Sequence, residues 1–373
     1  MQQSQQSDPV SVLVTGGSGL VGSALRGVCG ADLKYRFIFA SSRECDLTDY
    51  AATLQYFRAV APGAVIHLAA AVGGLFKNMR CKVDMFETNV RINMNVLRAC
   101  HELGVNKVVS CLSTCIFPDD KAKSGPIDES MLHAGPPHAS NDAYAYAKRM
   151  LEVQSRCYRE QHGRNYVCVI PTNIYGPHDN FHLDDAHVIP ALIHKCYLAK
   201  QEGVPLVVAG SGAPLRQFIY SRDLALLLIW TLEHYDSGKN DSSSNGDDSS
   251  NGDDSNGDDI GKNDSNGDDS SNGNDSNGNG SNSSSNGTLI LSVDPADEIS
   301  IAQVVRHIAD AMGLDNDIVY DLSQPDGQFK KTADNAKFKR LYGNESSFMF
   351  TPVRQGIRET VQWFVQNYDL ARK

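Results

Sequence analysis

Apolar residues follow two rhythms along this chain. Compact apolar runs at 10–14, 36–40, 63–71, 107–112 and 166–170 read as strands, the first short and buried. Between them apolar positions recur every three or four residues. On 84–103, Phe86, Val90, Met94 and Leu97 make one stripe, read as core or as a subunit contact. Helices are expected over 23–29, 84–103, 140–160 and 187–201, a strand end and helix over 218–235, and helices over 299–312 and 353–368. Further strands are expected at 205–209, 288–293 and 318–320. Strand and helix alternate, which predicts an α/β fold with a doubly wound parallel sheet. The sheet domain is expected over 10–175, rejoined near 215–235, and a smaller α/β substrate lobe over 176–214 and 288–373, behind a flexible N-terminus at 1–9.

The rhythm stops at 237–287. This stretch of Asn, Gly, Asp and Ser in imperfect NGDDS repeats is expected to be a disordered insertion in a hairpin-like connection of the smaller lobe. It holds eleven Asp and two Lys, so −9 of the chain's net charge of −11 is local and −2 remains for the rest. No basic field for nucleic acid is left. No apolar run approaches the roughly 18 residues of a membrane span, and residues 1–9 lack a secretory pattern. Nine cysteines, an odd number with no C-x-x-C pair, suit a reduced cytoplasmic protein.

Candidate chemistry gathers after strands. Gly16, Gly17, Ser18, Gly19, Leu20, Val21 and Gly22 follow the first strand and open a helix. Glycines there allow a tight turn and close approach of a pyrophosphate to free helix amides. The second strand ends in Ser41-Ser42-Arg43, with no acid for a ribose 2′-hydroxyl, so Arg43 points to the 2′-phosphate of NADP. Arg43 as a plain surface cation is the alternative, and Asp46 suits the adenine edge. Leu68, Ala69 and Ala70 are small or apolar where a cofactor would lie, while His67 reads as a core histidine. Pro171, Thr172, Asn173 and Ile174 begin a turn-rich loop at a strand's carboxyl end, where open α/β sheets bind ligands.

Tyr144 and Lys148 stand four apart on an expected helix and so share a face. A neighbouring ammonium should lower the phenol's pKa, fitting it for proton transfer near neutrality. Ser113 can bond the same substrate oxygen. His178, His182 and His187 lie within ten positions; acid/base use is the expectation, and no metal. Read from the residue alone, Cys115 is a packed thiol.

Together these motifs resemble the extended short-chain dehydrogenase/reductases. Gly16-Gly-Ser-Gly-Leu-Val-Gly22, Ser110-Cys-Leu-Ser-Thr-Cys-Ile-Phe-Pro118, Tyr144-Ala-Tyr-Ala-Lys148, Pro171-Thr-Asn-Ile-Tyr-Gly-Pro-His-Asp-Asn-Phe181, His187-Val-Ile-Pro190 and Arg216-Gln-Phe218 are similar to the GDP-4-keto-6-deoxy-D-mannose epimerase-reductases. The resemblance spans nearly all of the chain except the tract. It implies 3,5-epimerisation of that substrate by Cys115 and His187, then NADPH-dependent reduction at C4 with Tyr144, Ser113 and Lys148, giving GDP-L-fucose. It also implies that Lys148 and His187 border the cofactor, that Lys195, Arg216, Asp326 and Lys331 face the GDP-sugar, and that the enzyme is a homodimer. The alternatives are a 4-epimerase or 4-reductase of the same fold and a non-catalytic NADP-sensing protein, which would typically lack the Tyr144/Lys148 pair present here. A 4,6-dehydratase would need a carboxylate pair beside Ser113 that Ser113-Thr114-Cys115 does not provide.

Overall fold

The computed structural model describes residues 8–30, 34–119, 125–237, 287–315, 317–324, 326, 330–343 and 348–373. Most of the stretches expected as a flexible N-terminus and a disordered insertion lies outside the described residues. In chain order the first half comprises β1 (Val10–Thr15), α1 (Leu20–Val28), β2 (Tyr35–Ala40), α2 (Tyr50–Val60), β3 (Ala64–His67), α3 (Leu75–Arg80), α4 (Lys82–Glu102), β4 (Lys107–Cys111), α5 (Asp142–His162) and β5 (Asn165–Pro171). Then come β6 (Asn173–Tyr175), α6 (Val188–Glu202), β7 (Leu206–Ala209), β8 (Leu215–Arg216), β9 (Phe218–Tyr220), α7 (Ser221–His234), β10 (Thr288–Leu291), β11 (Ile299–Ser300), α8 (Ile301–Met312), β12 (Ile318–Asp321), α9 (Ala336–Tyr342) and α10 (Val353–Gln366).

Six parallel strands form the main sheet in the order β10-β5-β4-β3-β1-β2. Successive side chains of a strand point to opposite faces, and here helices cover both. Val12, Val14, Ile66, Val109, Val167 and Val169 join one core, with Leu25 of α1 and Leu224 and Leu228 of α7. Leu13, Val65, Val108, Cys168 and Ile170 join the other, with Phe57 of α2, Val96 and Leu97 of α4 and Leu151 of α5. Two-sided burial is why these strands read as continuous apolar runs rather than alternating ones. A third core, under α6, α8 and α10, builds the smaller lobe around Ile193, Val305, Ile308, Val361 and Phe364.

Several expectations change. The sequence places residues 288–293 in the smaller lobe, but β10 is the sixth strand of the main sheet, hydrogen-bonded to β5 in parallel register. The tract therefore interrupts a helix-to-strand crossover, from α7 to β10, and not a hairpin. Its described flanks sit at the amino ends of the strands: Asp236 accepts from Lys107 at 3.0 Å, and Gly287 accepts from the Cys168 amide. The residues 173–175, expected as loop, pair with β9 as β6. On α4 the expected stripe divides, with Leu97 in the core and Phe86 and Met94 exposed. The helix α2 was not expected, although Asp49 caps it by accepting from the Ala52 amide at 2.9 Å.

Candidate active site

The chain leaves β1 for β2 on one side, then returns to β3 on the other. This reversal leaves a crevice at the carboxyl ends of the strands, where such sheets bind ligands. A cavity of about 800 Å³ occupies it. The glycine loop forms one wall. Gly16 has φ +71°, and a Cβ there would stand 2.8 Å from the Ala69 amide nitrogen. A Cβ on Gly22 would meet the Gly16 carbonyl at 2.6 Å, so the helix start can press on the loop only as glycine. Gly19 caps α1 without a side chain on the first amides, which are left for an anion. The cradle fits a dinucleotide pyrophosphate.

Most of the expected cofactor residues line the cavity: Gly16, Ser18, Gly19, Leu20, Val21, Gly22, Asp46, Leu68, Ala69, Ala70, Pro171, Thr172, Asn173 and Ile174. Two do not. Gly17 faces Phe39, where a Cβ would approach to 2.7 Å, so it serves packing against β2. Arg43 is exposed on the turn beyond β2, while Ser41 and Ser42 reach the cavity. An acid does stand at this strand end after all. Glu44 turns back, accepting from the Ser41 amide at 2.7 Å and from its hydroxyl. Those hydrogen bonds hold the carboxyl below its usual range.

Ser113, Tyr144, Lys148 and His187 line the same cavity. Lys148 is buried and donates to the Cys111 carbonyl at 2.8 Å; its ammonium lies 5.9 Å from the centroid of the Tyr144 ring. Burial pulls the Lys148 pKa down. Burial also dominates at Tyr144, followed by the neighbouring Cys115 and Cys111, and keeps the phenol well above its usual value. The expected lowering by Lys148 is thus reversed: in a desolvated pocket, loss of water outweighs an ammonium already spent on a carbonyl. His187 caps α6 and is exposed to the cavity, where the desolvation of its surroundings lowers its pKa and favours neutral imidazole. His67 behaves as a core histidine, held between Thr15 at 2.8 Å and Asn93 at 3.1 Å, with its pKa pushed down to about 3.

Cys115 is not among the residues that line the cavity; it is half-buried and packs against the core. It follows Ser113, whose hydroxyl oxygen accepts from the Cys115 amide at 3.4 Å. Burial raises its thiol pKa against the opposing pull of the Ser113 hydrogen bond and of Lys331, Lys148 and Arg149. None of the four expected GDP-sugar residues lines the cavity. Lys331 approaches Cys115, and Arg216 in turn acts on Lys331. Lys195 is half-buried on α6. Asp326 accepts from the Ser211 amide and hydroxyl at 2.9 and 2.6 Å, joining two loops.

Residues 12–245 match the NAD dependent epimerase/dehydratase family. The GDP-L-fucose synthase of Dictyostelium discoideum is 46% identical over 365 residues, covering 97% of this chain and 98% of that protein. A probable GDP-L-fucose synthase of Drosophila melanogaster is 42% identical, covering 97% and 99%. The crystal structure of a GDP-L-fucose synthetase from Naegleria fowleri bound to NADP superposes with a TM-score of 0.79 at 43% identity, covering 100% of this chain and 97% of that one. The chain belongs to the GDP-L-fucose synthases.

For a GDP-L-fucose synthase, Asp179, Asn180 and Arg372 are among the lining residues to which the sequence assigned no site role. The loop 178–181 is pinned by the chain's far end. Arg372 donates to the His178 carbonyl at 2.7 Å, and its own carbonyl accepts from the Phe181 amide. Asp179 accepts from the Asn180 amide at 2.7 Å through Oδ1, while Oδ2 is buried with no hydrogen-bond partner among the described residues. Burial pushes its carboxyl up to about 7, against the pull of Arg372. The loop's Pro-His-Asp-Asn turn chemistry was legible; its closure by residue 372 was not. The three nearby histidines have separate surroundings, with His178 against Trp363, His182 accepting from the Asp184 and Asp185 amides, and His187 in the cavity.

Proposed function

We propose that this protein converts GDP-4-keto-6-deoxy-D-mannose to GDP-L-fucose, by epimerisation at C3 and C5 and reduction at C4 with NADP(H). What carries the reading is one cavity bordered by the glycine cradle, Ser113, Tyr144, Lys148 and His187. Bound NADPH supplies the hydride for C4. The glycine loop and the first amides of α1 would hold its pyrophosphate, and Ser41, Ser42 and residues 171–174, which line the same cavity, would hold the rest of the dinucleotide.

The C4 ketone acidifies the protons at C3 and C5. Ser113 and Tyr144 hydrogen-bond the carbonyl oxygen and stabilise the enolate charge. His187, neutral near pH 7, accepts or returns a proton on one side of the sugar. Cys115 serves the other, with surrounding cations favouring the thiolate. In the reduction Tyr144 gives its proton to the developing alkoxide. A phenol held protonated by burial suits that step, because it enters with its proton in place. Lys331, near Cys115, and Arg216, which acts on Lys331, suit the diphosphate of the substrate.

A second reading, a plain 4-reductase, is favoured by the absence of Cys115 from the residues that line the cavity. Incubation with NADPH and GDP-4-keto-6-deoxymannose in D₂O separates the two. The first reading expects loss of nicotinamide absorbance with deuterium at C3 and C5. NADPH consumption without deuterium leaves only the reductase, and no consumption removes both.

The reading also includes a homodimer built on α4 and α5, whose Val83, Phe86, Met94, Tyr146 and Met150 are exposed apolar residues. A monomer in sedimentation at micromolar protein would refute it. A cytoplasmic setting suits nine free cysteines, and among the described residues no helix is long and apolar enough to cross a membrane.

A further inference from the structure

Arg149 follows Lys148 on α5 and is 8% exposed. Its Nε donates to the Ile116 carbonyl at 2.5 Å, which fastens the guanidinium beside the residue next to Cys115. The Tyr146 ring lies 5.6 Å from the guanidinium carbon. Its Nη2 is buried with no hydrogen-bond partner among the described residues. A bare buried arm of a charged group is costly. Such an arm calls for an acceptor that some step of the cycle provides.

The groups around Cys115 identify that acceptor. Lys148 and Arg149 face it from α5, Lys331 from the segment after residue 329, and Ser113 from its own turn. Tyr144 is the remaining titratable neighbour, and Asp119 and Arg216 lie further out, acting on Lys331. The charges that bear directly on the sulfur are all cationic. Arg149 alone among them is tied through the backbone to the thiol's own turn and has an arm unspent.

We propose that Arg149 is a positioning residue for Cys115, its free Nη2 taking up the negative charge of the sulfur when the thiol releases its proton to solvent. The proposal rests on the acid/base role given to Cys115 above. The resting thiol then stays protonated and inert, and the guanidinium lies ready for the thiolate without moving.

The test uses the full chain with Arg149→Lys and Arg149→Met. Alkylation of Cys115 by iodoacetamide, followed by peptide mass spectrometry between pH 6 and 10, reads the thiolate without substrate. Arg149→Met is expected to move the alkylation midpoint up by about one pH unit, slowing alkylation near neutrality roughly tenfold. Arg149→Lys, which keeps the charge, should recover part of the shift and secures the test if Arg149→Met does not fold. NADPH affinity, read by fluorescence, should not change. Superimposable alkylation profiles for wild type and a folded Arg149 variant would overturn the proposal. Cys115→Ser with wild-type deuterium exchange at C3 and C5 would overturn the thiol's role instead, leaving the alkylation result to decide Arg149.

Discussion

Replacing Asp179 by Asn removes a carboxyl that the fold keeps from water. An aspartate in the unfolded chain titrates near ~3.9; in the folded protein burial carries it to about 7. The folded state therefore holds the proton more tightly. Below pH ~4 both states are protonated and the group contributes its full stability. That stability is lost as pH rises from there through the folded value. Each pKa unit is worth about 1.36 kcal/mol, so the three-unit gap amounts to at most about 4 kcal/mol above pH 7. Asparagine keeps the Oδ1 acceptor for the Asn180 amide and carries no charge. Asp179→Asn should gain on the wild type by about 3 kcal/mol between pH 4.5 and pH 8, and the gain should level off above pH 7. Urea unfolding of both proteins at several pH values measures it, and other titrating groups cancel in the difference. A gap between the two proteins that stays constant from pH 4.5 to 8 would refute the reasoning.

Three further outcomes follow from the site. Tyr144→Phe should lower kcat for reduction by about 10²–10⁴ with NADPH affinity retained; a loss confined to KM would count against proton donation. In Gly22→Ala the added Cβ meets backbone at 2.6 Å on two sides, costing about 1–3 kcal/mol and weakening NADPH at least tenfold; wild-type melting and cofactor fluorescence would contradict the cradle. Glu44→Gln removes the carboxylate that occupies the Ser41 donors, so NADPH should bind several-fold tighter and NADH no differently, as fluorescence titration would reveal. Equal shifts for both cofactors would separate Glu44 from the 2′-phosphate.

The strands of the main sheet and the helices carrying Tyr144 and His187 were legible in the sequence because they rest on local periods. A run such as 10–14 can be buried only between two helix layers, and residues four apart on a helix share a face wherever that helix docks. The glycine spacing at 16, 19 and 22 states its own requirement, since neighbouring backbone fills the space a side chain would need. What the tertiary structure decided depends on neighbours far along the chain and on lost water. The place of β10 beside β5 is a long-range pairing with no local signature. Arg372 closes the Asp179 loop from the opposite end of the lobe. Glu44 turns back onto Ser41, and Cys115 lies off the cavity lining next to Ser113. The phenol of Tyr144 rises rather than falls, because burial acts on it more strongly than the nearby ammonium. Spacing along the chain places groups on a face; only the packed interior sets how much water, and which charges, each group keeps.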